Sequence, residues 1–201
     1  SGHAQKLADG GESLDIRANG QTLLSYVYSE TMPPDTVDPV YKRSAYIHPL
    51  RSPGGEILTR IQPPDHYHHY GIWNPWTHTR IDGEQIDFWN LALKQGTVRF
   101  AEFLDQTEEA DKAGFVARHE HVRFREDGTE QVAIDETWDV KVHRVTDDSY
   151  ILDLTTTLNT PLEGGILLEQ YRYGGGLGFQ ATEKWGSDNS TVLTSEGKTR
   201  Q

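Results

Sequence analysis

Along much of this chain apolar and polar residues alternate one by one. The clearest run is "EQVAIDETWDVKV" at 130–142, where Val132, Ile134, Trp138, Val140 and Val142 share one parity and Gln131, Asp135, Asp139 and Lys141 the other. A period of two marks a strand, because successive side chains point to opposite faces of a sheet. "SYILDLTTTLN" repeats the scheme with Tyr150, Leu152, Leu154, Thr156 and Leu158, and "AGFVARHEHVRF" precedes both, closed by the turn "EDG" at 126–128. The pattern predicts three consecutive antiparallel strands joined by short turns.

Weaker strand patterns fill the first half at "SLDIRAN", "TLLSYVYS", "SAYIHPL", "EILTRI", "IDFWNLAL" and "TVRFAEFL". Turn signals separate them: Asn19-Gly20, "PGG" at 53–55 and Asp82-Gly83. No apolar stripe of helical period extends beyond two turns. The expected fold is all-β, an antiparallel β-sandwich. The 201 residues suit one large domain, 1–201, better than two small ones. At the C-terminal side "TVLTSEGKTRQ" stops just after a strand and a turn. A sandwich ending there exposes a sheet edge, so the expectation is a domain truncated on that side, its edge covered by a second segment or another copy.

Hydrophobic residues make up only 35%, but nine Tyr, six Phe and five Trp provide large surfaces for a core. The net charge of −12, from 31 acidic and 19 basic residues, repels phosphate backbones and anionic lipid. No nucleic-acid or membrane partner is therefore expected. No apolar run reaches the roughly 20 residues of a membrane span. The absence of cysteine excludes disulfides, thiolate metal sites and cysteine nucleophiles. It suits a periplasmic or secreted setting and suits a cytoplasmic one almost as well. The opening "SGHAQKLADG" reads as a short vector remnant joined to mature sequence, with which an upstream secretory leader is compatible.

The chemistry concentrates in "QPPDHYHHYGIWNPW" at 62–76. Pro63 and Pro64 favour extended backbone. Extension would put His66, His68 and Tyr70 on one face and Tyr67 and His69 on the other. Side-by-side imidazoles at His66 and His68 suit two ligands of a divalent metal, with His48, His78 and Asp87 as the nearest third ligands. The metal-free alternative is acid/base work, one imidazole removing a proton from a sugar hydroxyl or carbon and another returning it. Trp73, Trp76 and Trp89 then offer faces for a pyranose ring, and Arg43, Arg51 and Arg60 hold hydroxyls or a carboxylate. The plain structural alternative has the histidines bonding their own loops and the tryptophans filling the core.

Two other stretches carry weaker signals. His119 and His121 alternate in "HEHVRF" with no Pro, Gly or Trp around them, and read as a solvent-facing or sheet-surface pair. In "EQYRYGGGLGF" three consecutive glycines allow close backbone approach but lack the spacing of a phosphate loop. Arg172 and Tyr173 beside them are placed to reach a pocket, and strand-to-loop packing explains them equally well.

In order, "YIHPLRSPGGEILTR", "PPDHYHHYGIWNPW", "GEQIDFWN" and "VLTSEGKT" resemble the motifs of the bacterial PmoA-like proteins: HPLR-(S/T)-P-x-G, D-H-P-H-H-R-G-(L/I)-W, V-D-F-W and N-S-E-G-x-T. The resemblance spans 46–199. Its methane-oxygenase label does not suit a chain with no membrane span and nothing like a copper monooxygenase site. The family is similar to the galactose-mutarotase-type β-supersandwich and is found among saccharide-utilisation proteins. The resemblance thus implies a sugar pocket on one concave sheet. It also implies site residues at His48, Arg51, Asp65, His66, His68, His69, Trp73, Asp87 and Trp89. Tyr70 stands where the family has Arg, and family members continue well beyond "SEGKT".

The resulting expectation is a carbohydrate-active protein, epimerase- or mutarotase-like or else a glycoside lyase or hydrolase, acting on a small-molecule or oligosaccharide substrate. His48, His66, His68 and His69 would do the chemistry, and Arg51, Trp73, Trp76, Asp87, Trp89 and Arg172 would bind substrate. A divalent metal on His66 and His68 is the one cofactor considered. The alternative is a non-catalytic carbohydrate-binding module using Trp and Arg. Converging imidazoles in a pocket favour the enzyme, and a flat exposed Trp platform favours the module.

Overall fold

The computed structural model describes residues 2–74, 76–173 and 175–199. Pro75 of the histidine-rich segment, Gly174 of the triple glycine and the polar end at Arg200 and Gln201 lie outside the described residues.

Thirteen strands and two single-turn 3-10 helices follow one another among those residues: β1 (Gln5–Asp9), β2 (Ser13–Ala18), β3 (Gln21–Val27), a helix at Pro39–Tyr41, β4 (Tyr46–Leu50), β5 (Ile72–Trp73), β6 (Thr79–Ile81), β7 (Glu84–Ile86), a helix at Leu91–Leu93, β8 (Gly96–Glu108), β9 (Lys112–Phe124), β10 (Glu130–His143), β11 (Ile151–Asn159), β12 (Leu167–Leu168) and β13 (Gly178–Phe179). All pairings are antiparallel. One sheet runs β1-β2-β3-β4-β5-β13, a second β11-β10-β9-β8, and a small third β12-β6-β7. The protein is an all-β antiparallel sandwich. No helix is long and apolar enough to cross a membrane.

Local chemistry explains the hairpins. Asn19 and Gly20 both have positive φ, as do Asp82 and Gly83. Such a pair makes the two-residue turn whose twist matches its flanking strands, pairing Ala18 with Gln21 and Ile81 with Glu84. The strand patterns at "EILTRI" and "IDFWNLAL" are only partly realised. The first makes isolated bridges from Ile57, Thr59 and Ile61, and the second gives β7 followed by the helix at Leu91–Leu93. The opening segment is no appendage: Gln5 to Asp9 pair with β2, and Gln5 is buried.

The main core lies between the two large sheets. Leu14, Ile16, Leu24, Tyr26 and Ile47 come from one and Phe115, Ala117, Trp138 and Val140 from the other. Tyr26 stacks on Phe115 at 4.5 Å between ring centroids. A bulge between Val132 and Ile134 lets β10 bury both Ala133 and Ile134.

His119 and His121 are not on the surface. Both are fully buried, on the same inward face as Phe115 and Ala117. Glu136, an even-numbered partner of Trp138 on β10, is buried with them. Tyr26 Oη lies 2.5 Å from His119 Nε2, whose Nδ1 is 3.1 Å from Glu136 Oε1, and His121 Nε2 reaches the same oxygen at 3.2 Å. Burial alone would raise the Glu136 pKa, but the hydrogen bonds from His119 and His121 outweigh it and bring it to about 2. Burial lowers the pKa of His119, keeping that imidazole neutral. Both imidazoles serve the one oxygen Oε1, which offsets part of the cost of burying a carboxylate, while Oε2 and His121 Nδ1 have no hydrogen-bond partner among the described residues. Arg43, also buried, donates to the carbonyls of Ser44 and Ala45, and its pKa is lowered to about 10 by burial against the pull of Glu136.

Candidate functional site

The 62–69 segment does not stay extended. Gln62 adopts φ +50, His66 N–H donates to Pro63 O, His69 N–H to His66 O, and Gln62 N–H closes the loop on His69 O. Two successive turns replace strand alternation. Tyr67 leaves toward Tyr41, with ring centroids 5.7 Å apart, while the three imidazoles converge. His66 stacks on His69 at 4.7 Å, His68 meets His69 edge-on at 4.6 Å, and His66 and His68 are 5.7 Å apart.

The rings rest on a tryptophan pair. Trp73 on β5 lies 5.0 Å from His69 and perpendicular to Trp89 at 5.8 Å. Gly71 lets β5 come this close to β4, since a Cβ there would stand 2.1 Å from Ile47 O. Asp87 fixes Trp89: its Oδ1 accepts the N–H of Trp89 and of Asn90 at 2.8 Å each, and its Oδ2 accepts Asn90 Nδ2 at 2.7 Å. Facing this wall, Tyr171 stacks on His78 at 3.8 Å, and Thr77 Oγ1 donates to the carbonyl of Tyr173. Between them lies a cavity of about 670 Å³, lined by Asp65, His66, His68, His69, Thr77, Trp89, Asn90, Tyr171 and Tyr173. That size is ordinary for a small-molecule site.

Another cavity, about 760 Å³, lies between the N-terminal segment and the ends of β9 to β11. Its His143 and His3 stand apart, on Asp153 and Asp147, whereas three imidazoles converge at the other cavity, which is the better candidate.

Burial, and next the neighbouring His69 and His66, push the His68 pKa down to about 4. Burial also lowers that of His69, against the opposing hydrogen bond from Gln180. Both are neutral at pH 7. Gln180 Nε2 donates to Ala181 O, which turns Oε1 toward His69 Nδ1 at 2.7 Å. Nδ1 therefore carries the proton and Nε2 keeps its lone pair. His66 has a different partner, Asp65 Oδ2, 3.1 Å from its Nδ1. In the same segment Asn74 is fully buried with neither amide atom hydrogen-bonded, and the Nε1 atoms of Trp73 and Trp76 are likewise unpaired. Such orphaned groups cost about 1–3 kcal/mol each.

The other sequence-predicted residues stand elsewhere. His48 bonds Thr59 Oγ1 through Nδ1 at 2.7 Å and does not line the cavity; burial, with Arg51 nearby, lowers its pKa to about 4. Arg51 donates to Gly55 O, Arg60 pairs with Glu183, and Arg43 is in the core. Trp73 backs the site from beneath, Trp76 covers Gly175, and Asp87 is a cap whose two oxygens are used. Arg172 is exposed, with its guanidinium over the Tyr173 ring at 4.5 Å. Tyr70 is buried, bonded to Tyr41 O and not among the residues lining the cavity.

A metal does not fit. Among the described residues no three His, Asp or Glu are arranged to hold one. Of the third ligands foreseen, His48 is bonded to Thr59 and Asp87 to the 89–90 backbone, while His78 stacks on Tyr171 and joins no such group. Conversely, Tyr171, Thr77, Asn90 and Gln180 belong to the site without having been singled out. The Tyr171/Tyr173 alternation beside the glycines was the one available signal.

A family model described as a family of unknown function, DUF6807, matches residues 13–201. The chain belongs to that family. Comparison with curated proteins and with solved structures gave no match.

Proposed function

We propose that this DUF6807 chain is a carbohydrate-active protein whose histidine cavity performs metal-free acid/base chemistry on a sugar, in the manner of an epimerase or mutarotase. One observation carries the reading: two imidazoles stacked at 4.7 Å on an aromatic cavity have partners of opposite tendency. His69 is held neutral by burial, its Nε2 left unprotonated because Nδ1 donates to the Gln180 side-chain oxygen, and acts as the base. His66, with its Nδ1 3.1 Å from Asp65 Oδ2, acts as the acid. In a mutarotation His69 takes the anomeric hydroxyl proton while His66 protonates the ring oxygen. The ring opens, and the reverse transfers close it on the other face with no net change in protons. Trp89, Tyr171 and Tyr173 supply surfaces for the C–H side of the ring.

The resemblance to PmoA-like proteins, and through them to mutarotase-type supersandwiches, supports the same reading. A periplasmic or secreted setting and a small-molecule or oligosaccharide substrate belong to the same proposal. β11 ends the four-stranded sheet, and a second segment or another copy would pair there.

Polarimetry of freshly dissolved α-glucose and α-galactose, with NMR of a glycoside panel for elimination or hydrolysis, tests the proposal. Acceleration that disappears in His69→Ala and falls in His66→Ala is expected. A folded protein that changes none of these sugars overturns it.

A further inference from the structure

The lining of the cavity carries a second message, about the charge of what it takes. Of its nine described lining residues none is Lys or Arg, and Asp65 is the single carboxylate among them. The basic residues nearest in sequence are occupied: Arg60 pairs with Glu183, and Arg172 lies over the Tyr173 ring. Burial holds His68 and His69 in the neutral form at pH 7, with the neighbouring imidazoles acting in the same direction. What the walls do present is aromatic area from Trp89, Tyr171 and Tyr173, together with the neutral hydrogen-bonding groups of Asn90, His68 and His69. A carboxylate or sulfate placed here meets no Lys or Arg in the described wall and faces Asp65. Like charges in such a setting are strongly rejected. The net charge of −12 opposes the approach of an anion as well.

We propose that the cavity selects uncharged saccharides, pyranose rings bearing hydroxyls only, over uronates and sulfated sugars. The proposal rests on the carbohydrate reading above and narrows its substrate class.

The test measures dissociation constants by tryptophan fluorescence and saturation-transfer NMR at pH 7 and 0.15 M NaCl. The probes are the methyl β-glycosides of glucose and galactose and of the corresponding glucuronate and galacturonate. The expected result is binding of a neutral glycoside at least about tenfold tighter than its uronate, lost in Trp89→Ala. Asp65→Lys, at an exposed position, should shift the ratio toward the uronate by a further tenfold or so. A uronate that binds as tightly as its neutral counterpart, or tighter, overturns the charge inference and leaves the carbohydrate reading standing. Binding that survives Trp89→Ala places the ligand elsewhere and overturns the inference for this cavity. Absence of binding by all four glycosides removes both.

Discussion

His69 and Gln180 are 111 positions apart in the chain, yet Nδ1 of one and Oε1 of the other are 2.7 Å apart. The sheet makes the contact. β13 pairs with β5, placing Gly178 opposite Trp73 and Phe179 opposite Ile72. The Gln180 N–H then bonds Gly71 O, and its carbonyl accepts from Arg60. Gly178 must be glycine for this, because a Cβ would stand 2.8 Å from the Trp73 ring. The amide that sets the His69 tautomer is thus delivered by backbone pairing.

Replacing that amide should retune the base. Gln180→Glu puts a carboxylate on Nδ1 and should raise the His69 pKa. Gln180→Leu removes the acceptor and frees the tautomer, lowering turnover about tenfold or more. Two-dimensional 15N–1H NMR titration of the imidazoles reads both effects, and an unchanged His69 spectrum in both variants would refute the link.

Acid should loosen the protein in two stages. His48 and His68 have folded pKa values of about 4, below the roughly 6.5 of an unfolded histidine. The unfolded chain therefore binds protons first, and their contribution, complete above about pH 6.5, is lost as pH falls toward 4. Glu136, at about 2 against an ordinary 4.5, extends the loss below pH 4.5. Both histidines are partly solvated, so the first stage should lower the melting temperature by only about 3–5 °C between pH 7 and 4. Scanning calorimetry across pH checks it, and His68→Asn should flatten the upper stage.

Removing Glu136 should damage the core. Glu136→Ala leaves His119 and His121 without their shared acceptor and opens a void, with an expected loss of about 3–5 kcal/mol. Glu136→Gln retains an acceptor oxygen and should lose markedly less. Urea unfolding midpoints distinguish them, and equal stability of all three proteins would contradict the network's role.

Asp87 should behave as a cap and not as a substrate ligand. Asp87→Ala releases the N–H groups of Trp89 and Asn90 and should destabilise by about 1–2 kcal/mol while changing the near-ultraviolet signal of Trp89. Asp87→Asn keeps an acceptor for those donors and should restore most of both. A variant that is fully stable yet binds no sugar would instead make Asp87 a direct ligand.

What the sequence determined by itself was local. Asn19-Gly20 and Asp82-Gly83 tolerate positive φ, and the hairpins followed. The alternation from Phe115 to Leu158 pairs as three antiparallel strands because a half-buried ladder demands that period. Alternation did not say which face was the core for the polar members. His119, His121 and Glu136 look like surface residues in one dimension, and only their mutual hydrogen bonds, across two strands, make burial tolerable. In "HYHH" the proline pair suggested extension, yet two backbone turns closed by Gln62 and His69 decided where the rings go. The sequence marked where the chemistry was concentrated. Tertiary pairing chose its members: it left His48 on Thr59, used Asp87 as a cap, and brought Tyr171 and Gln180 in from the far end of the chain. The physical reason is that a side chain's partners are set by which strands pair, and β5 with β13 is a long-range choice no local pattern encodes.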